Sequence, residues 1–296
     1  MRRVSRLFVA VLIGVGLGML IVTDNALHPA RQLAPAPRAA DYVARNTASS
    51  WEPGQVTTSD GVTLHAWYFA PLKPNGSVVI ALHGVGDTRL GMLSHATFLL
   101  TDGFTVLLPD LRGHGESGGA IVTYGIKEAG DVRYWVDWLF QKRGTARLYG
   151  IGQSLGAAVL LQSLSTEKRF RAVVADSPFA TFEEISYDRL GQISRIPPLT
   201  FWPLIRLGFI YAQLRYGLDL RQASPSVAIR ATSVPVLLIH GARDTNIPLR
   251  HSEELHAANP NGTQLWVVSG AEHVASLATS PERYISNVIR WFNSHQ

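Results

Sequence analysis

Ser154 stands in Gly152-Gln153-Ser154-Leu155-Gly156, between a short apolar run, Leu148 to Ile151, and an alanine- and leucine-rich helical pattern from Ala157 to Leu164. A serine hydroxyl attacks an acyl carbon when a base takes its proton, an acid holds that base, and backbone donors receive the oxyanion. Strand, sharp turn and helix supply the first part of this. A G-x-S-x-G turn holds its serine in a strained conformation at a sheet rim, over a helix N-terminus whose partial positive charge favours a developing anion. Glycines 152 and 156 let the turn close against its neighbours. The pattern is short and weakly specific alone, so its partners must be found elsewhere in the chain.

The base is expected beyond the last strand, where Gly270-Ala271-Glu272-His273 follows Val267-Val268 and offers His273. Two carboxylates end strands after the serine: Asp244, just past Leu238-Ile239-His240, and Asp176. The order Ser, Asp, His with both partners late in the chain favours Asp244, leaving Asp176 to cap the backbone ahead of Ser177-Pro178. One oxyanion donor is the N–H of Leu155, directly after the nucleophile. The other is the N–H of Val85, in the loop Gly84-Val85-Gly86 after the first buried parallel strand. His83 and His114 sit in glycine turns before the serine and are expected to tie loops together through hydrogen bonds. The absence of cysteine removes thiolate catalysis and disulfides. With no phosphate-binding glycine loop and no clustered His-carboxylate motif, neither cofactor nor metal is expected.

These residues need a scaffold. The 296 residues, 46% of them hydrophobic, suffice for one large α/β domain. Gln55 to Thr58 and Val62 to Phe69 flank Ser59-Asp60-Gly61 as a hairpin. Apolar strands are predicted at 77–83, 104–109, 148–151, 172–175, 236–240 and 264–268, with helices at about 90–100, 126–141 and 281–292. Strands alternating with helices after a hairpin predict a mostly parallel sheet covered on both faces. About sixty residues separate Ala175 from Val236, more than a crossover needs, and they hold the apolar segment Ile196 to Tyr211. A helical cap insertion over the site, at about 178–232, is expected there. The net charge of +5 comes from scattered arginines, compatible with an anionic membrane surface and not with nucleic acid.

Before the domain, Arg2, Arg3 and Arg6 precede the uncharged run Leu7 to Val22, sixteen residues spanning about 24 Å as a helix against a hydrocarbon core of roughly 30 Å. Residues 1–22 are thus predicted to be a short membrane anchor or an uncleaved signal segment. Residues 23–50, rich in alanine and proline, are expected to be a tether with a short helix near Asp41 to Arg45. Residues 51–296 form the catalytic domain. Three arginines before the run and two after it place that domain on the outer side.

His83-Gly84, Asp110-x-Arg112-Gly113-His114-Gly115-x-Ser117, Gly152-Gln153-Ser154-Leu155-Gly156, His240-Gly241-x-x-Asp244 and Gly270-x-x-His273 together resemble the ordered motif set of the α/β-hydrolase superfamily. Within it, the chain from about Trp51 onward resembles the membrane-tethered Bem46-like hydrolases, also called serine aminopeptidase S33-type. The resemblance implies the α/β-hydrolase fold with Ser154 as nucleophile, Asp244 as acid and His273 as base. The chain departs from relatives in having Val85 where a polar residue often follows His-Gly, and it lacks the His-Gly-Gly-Gly loop of one esterase branch. The expected activity is esterase- or lipase-like cleavage of a carboxylic ester or thioester, on a small-molecule or lipid acyl substrate such as a lysophospholipid. An aminopeptidase using the same triad is the alternative, with Glu183, Glu184 and Asp188 as receptors for a substrate amino group. A binding protein that keeps the fold without turnover is the further alternative.

Overall fold

The computed structural model describes residues 2–32, 36–194 and 201–296, and the side chains within them other than those of residues 2–12, 142, 193 and 194. Ile196, Pro197 and Pro198 of the cap segment and Ala34-Pro35 of the expected tether lie outside the described residues. Runs rich in Val, Ile, Leu and aromatic residues form eight strands: β1 (Ser49–Thr57), β2 (Thr63–Pro71), β3 (Ser77–Leu82), β4 (Thr105–Pro109), β5 (Arg147–Gln153), β6 (Phe170–Asp176), β7 (Val236–Gly241) and β8 (Thr263–Val268). They make one sheet in the order β1-β2-β4-β3-β5-β6-β7-β8. β1 pairs antiparallel with β2, and β2 with β4; every later neighbour is parallel.

Because successive side chains on a strand point to opposite faces, the apolar runs feed two cores at once. Val78, Ile80 and Leu82 of β3 enter one core, Val79 and Ala81 the other; Val236 and Leu238 of β7 divide in the same way from Leu237 and Ile239. The helices are α1 (Arg2–Leu27), α2 (Pro37–Asn46), α3 (Leu93–Thr101), α4 (Glu128–Arg143), α5 (Leu155–Ser163), α6 (Phe182–Ser194), α7 (Trp202–Tyr216), α8 (Pro225–Arg230), α9 (Arg250–Ala258), α10 (Ser276–Thr279) and α11 (Pro281–Asn293). Residues of α4, α5, α8 and α9 pack into the first core, and residues of α2, α3 and α11 into the second. α11 buries Tyr284, Val288, Trp291 and Phe292, a spacing that lines one helix face. Phe292 meets Tyr149 at 4.8 Å and Phe104 at 5.8 Å between ring centres. Each such ring contributes about 1.5–3 kcal/mol on full burial.

The adjacent parallel strands β3 and β5 send the chain to opposite faces, α3 to one and α5 to the other. A crevice opens where the connections diverge in this way, and open α/β sheets bind ligands there. The loop after β3 carries Val85 and the turn after β5 carries Ser154.

Two expectations for the N-terminal region need correction. Among the described residues, no helix is long and apolar enough to cross a membrane. The membrane-spanning anchor expected over 1–22 and the placement of an anchored domain on the outer side are therefore overturned, and a membrane partner is not shown. The apolar run ends at Thr23 and Asp24, and the last turns of α1 are bound into the domain instead. Leu27 is fully buried, its carbonyl accepts the Val122 N–H at 2.8 Å, and the Ala26 carbonyl accepts the Tyr124 hydroxyl at 2.8 Å. Asp24 Oδ1 accepts hydroxyls from Tyr211, at 3.1 Å, and Tyr216, both on α7. Further along, the short helix expected near Asp41 to Arg45 is present as α2 over residues 37–46, but it is packed rather than part of a free tether, with Ala40, Val43 and Ala44 buried against the sheet. β1 starts at Ser49, six residues before the expected Gln55.

Candidate active site

At the end of β5 the chain turns so sharply that Ser154 takes φ +51° and ψ −116°. A non-glycine residue in this region costs about 1–3 kcal/mol and is kept only where its surroundings hold it. The Ser154 N–H donates to the Asp176 carbonyl at 2.9 Å, and the Ser154 carbonyl accepts the Ala158 N–H at 3.0 Å. A Cβ on Gly152 would stand 2.5 Å from the Gly156 carbonyl oxygen, and one on Gly156 would run into the Leu82 carbonyl. Only glycine at both positions lets β3, β5 and α5 meet. The serine hydroxyl makes no capping bond to its own helix and points away from it.

His273 Nε2 lies 3.0 Å from Ser154 Oγ, and His273 Nδ1 lies 2.7 Å from Asp244 Oδ2. A carboxylate is an acceptor only, so Nδ1 carries the proton and Nε2 is left to accept from the serine. Asp244 is held on every side: Oδ1 accepts the N–H groups of Asn246 and Ile247, each at 2.9 Å, and His240 Nε2 stands 3.4 Å from Oδ2. Burial would push the Asp244 carboxyl up, but the hydrogen bonds from His240 and His273, the nearby imidazole charge and the Ile247 N–H together hold it well below the usual range. It is therefore ionised at neutral pH. Asp176, the other strand-end carboxylate, faces Ser177 and Ser276 at 3.2 and 3.3 Å and makes no bond to His273. Its full burial pushes it up to about 6.

The loop after β3 is set by His83. Its Nε2 accepts the Leu111 N–H at 3.0 Å, so Nδ1 bears the proton and donates to the Gly84 carbonyl at 2.8 Å. In a trans peptide the N–H points opposite to the carbonyl. With the Gly84 carbonyl tied back to His83, the Val85 N–H is turned the other way. The Gly84 backbone lies against Ser154, a Cβ there falling 3.5 Å from the serine Cβ. His114 Nε2 accepts the Gly86 N–H at 3.1 Å, which joins this loop to the glycine turn after β4. Burial first, then the neighbouring His114, hold His83 down to about 4, so it stays neutral and keeps its acceptor. Leu155, as the first residue of α5, has an N–H with no partner inside the helix. Beneath both loops, buried Arg89 pairs with Asp110 at 2.6 Å and Glu116 at 2.5 Å.

The hydroxyl and imidazole open into a cavity of about 550 Å³. Its wall is mostly apolar and includes Leu155, Phe179, Phe182, Ile185 and Phe209. Tyr124 packs on Phe182 with the ring centres 4.0 Å apart and the planes tilted by 32°, and the far wall comes from Met19, Val22, Thr23, Ala26 and Leu27 of α1. Glu183, Glu184 and Asp188 are absent from the lining; Asp188 instead binds Arg250 at 2.5 Å and His251 Nε2 at 2.8 Å. Sequence reasoning does not find the support that His240 gives Asp244, although both belong to one short motif. Nor does it find α1 in the wall, because an apolar helix reads alike against lipid and against protein. Among the described residues, no group of three or more His, Cys, Asp or Glu side chains gathers as a metal site.

Residues 79–286 match the alpha/beta hydrolase family. The chain belongs to that family. This α/β hydrolase is 31% identical over 236 residues to an uncharacterized protein, YqkD, of Bacillus subtilis, across 79% of this chain and 76% of that one. It is 32% identical over 222 residues to the uncharacterized protein Rv2307c of Mycobacterium tuberculosis, across 74% and 70%. Among solved structures, the esterase Pf2001 of Pyrococcus furiosus superposes with a TM-score of 0.70 at 28% identity, over 89% of this chain and 99% of its own. The eight-stranded, mostly parallel sheet flanked by helices is the fold expected of the family, and its similarity to an esterase supports esterase-like hydrolysis.

Proposed function

We propose that this α/β hydrolase is a serine esterase that cleaves carboxylic esters or thioesters of apolar acids through an acyl-enzyme. Ser154 Oγ attacks the carbonyl carbon while His273 Nε2 takes its proton. Asp244 stabilises the resulting imidazolium, and the N–H groups of Leu155 and Val85 receive the oxyanion. Collapse breaks the bond to the leaving oxygen or sulfur, which takes the proton from His273. Water then attacks the acyl carbon, passing a proton to the same nitrogen. The proton returns to Ser154 as the acid leaves.

One observation carries this reading: the unbroken line of hydrogen bonds from Ser154 Oγ through His273 to Asp244, 3.0 and 2.7 Å long, ending in an apolar cavity. A cavity of this size and lining suits an acyl chain. The motifs shared with Bem46-like hydrolases and the similarity to Pf2001 support the chemistry. In this reading residues 51–296 are the catalytic domain and the segment 178–232 supplies its cap through α6 and α7. An aminopeptidase needs acidic groups facing the substrate amine, and Glu183, Glu184 and Asp188 do not reach the cavity. A serine-directed fluorophosphonate probe is expected to label the wild type and spare Ser154→Ala, and 4-nitrophenyl esters are expected to turn over faster than an aminoacyl anilide. Equal labelling of both proteins sinks the nucleophile, and preference for the anilide sinks the ester.

A further inference from the structure

Phe182, Ile185, Ser186, Arg189 and Leu190 all line the cavity, a spacing that puts them on one face of α6. Along that face burial declines: Phe182 and Ile185 are buried, Ser186 half-buried and Arg189 exposed. Seven residues of helix put Arg189 about 10 Å from Phe182, at the cavity mouth. Its guanidinium is held, yet its charge is not cancelled. Nη1 donates to the side-chain oxygens of Gln192 at 3.2 Å and Asn246 at 3.0 Å, both neutral, and Arg189 forms no ion pair with a carboxylate among the described residues. Arginines nearby differ in this respect, since Arg250 pairs with Asp188 and Arg221 with Asp219.

Asn246 fixes where this charge sits. Its N–H donates to Asp244 Oδ1 at 2.9 Å while its side chain holds Arg189, so the guanidinium is tied to the wall that carries His273. A leaving alcohol takes its proton from His273 Nε2 and so lies along that wall. Among the described lining residues the one carboxylate, Asp87, belongs to the oxyanion loop and spends Oδ1 on the Thr88 N–H at 2.7 Å. Resting on the serine-esterase reading, we infer that Arg189 is a specificity residue that binds an anionic group, carboxylate or phosphate, carried on the alcohol part of the ester. A planar guanidinium suits both anions through paired N–H donors.

The test compares octanoyl esters of glycerol 3-phosphate, of a short hydroxy-carboxylate and of glycerol at low ionic strength. The wild type is expected to favour at least one anionic ester over the neutral one by about tenfold or more in kcat/KM, and the better of the two identifies the anion. In Arg189→Gln that ratio is expected to fall to near one, with part of it restored in Arg189→Lys. An unchanged ratio in Arg189→Gln overturns the inference, as does a wild type indifferent to charge. It is also overturned if the preference follows an anion on the acyl side, measured as mono-4-nitrophenyl glutarate against 4-nitrophenyl pentanoate. Fluorophosphonate labelling of Ser154 separates the two readings: labelling with an unchanged ratio removes only the role of Arg189, whereas no labelling removes the hydrolase mechanism beneath it.

Discussion

Asp244→Asn tests the orienting role of this carboxylate with little change of shape. Oδ1 of Asp244 accepts two backbone N–H groups, each at 2.9 Å, and Oδ2 faces His273 Nδ1 at 2.7 Å. Asparagine has one oxygen to offer. Turned toward the backbone, the amide keeps both N–H bonds; turned the other way, it sets its own N–H donors against two more and strands them in a buried site. The first orientation wins, and it points an NH₂ group at His273 Nδ1. That nitrogen must then accept, so the imidazole proton moves to Nε2, the atom that should take the proton of Ser154. The loss is one of tautomer as well as charge, and kcat for a 4-nitrophenyl ester is expected to fall about a thousandfold or more, roughly 4 kcal/mol of barrier. KM should change little, since Asp244 does not line the cavity. Folding offers an independent control. A carboxylate held below its unfolded value of 3.8 stabilises the native state above about pH 4 and loses that contribution as pH falls through its lower folded value. The variant lacks this term, so its acid-unfolding curve should be flatter at the lowest pH. A kcat loss under tenfold, or an equal loss in Asp176→Asn, refutes the reasoning.

Other parts of the structure respond differently. Burial holds His95 down to about 4, so the stability gained by keeping it neutral is full above about pH 6.5 and is lost as pH falls toward 4. His95→Phe should shed a few kcal/mol less between those values, read from urea midpoints across pH, and an unchanged pH slope counts against it. Ile185→Trp places a larger side chain in the cavity and should reduce kcat/KM for an octanoate ester at least about tenfold more than for an acetate ester; equal reductions would show that the acyl chain lies elsewhere. Gly156→Ala drives a Cβ into the Leu82 and His83 carbonyls, and a destabilisation of about 3 kcal/mol or more is expected in thermal unfolding. A melting temperature close to that of the wild type would mean that β3 and α5 can separate freely.

The parallel strands are legible because a strand buried on both faces is a continuous apolar run: β3 is read to within one residue, and β7 and β8 likewise. β1 is read only from Gln55, since Ser49-Ser50-Trp51-Glu52-Pro53-Gly54 forms a half-exposed edge with no clean alternation. α2 is read only as a short helix near Asp41 to Arg45, and its packing is missed because its burial rests on Ala40, Val43 and Ala44, too small a stripe to stand out from an alanine-rich linker. Ser154, His273 and Asp244 can be named because each stands at a strand end in a glycine-marked turn, and His273 lies within hydrogen-bonding distance of the other two. The cavity is a different matter. Its wall draws on α1, the Tyr124 turn and α6, whose proximity no local pattern encodes, and the bond between Arg189 and Asn246 joins residues 57 apart in the chain.

Tyr124 shows why the first helix belongs to the site's architecture. It takes φ +55°, a conformation costly for an aromatic residue, and the turn around it is fastened by buried Glu128, which accepts the N–H groups of Thr123 at 2.6 Å and Gly125 at 2.8 Å. Fixed in this way, Tyr124 faces two elements at once. Its hydroxyl donates to the Ala26 carbonyl at the end of α1, while its ring packs against Phe182 of α6. On the other side of α1, Asp24 takes the hydroxyls of Tyr211 and Tyr216 of α7. The last turns of α1 are thus gripped by both segments that close the cavity, and Met19, Val22 and Ala26 meet the same space as Phe182 and Ile185. That lining accounts for the apolar residues of the last turns alone, since Ile13, Val15 and Leu17 earlier in the same helix, and Ile21 beside the lining residues, are exposed and line no part of the cavity.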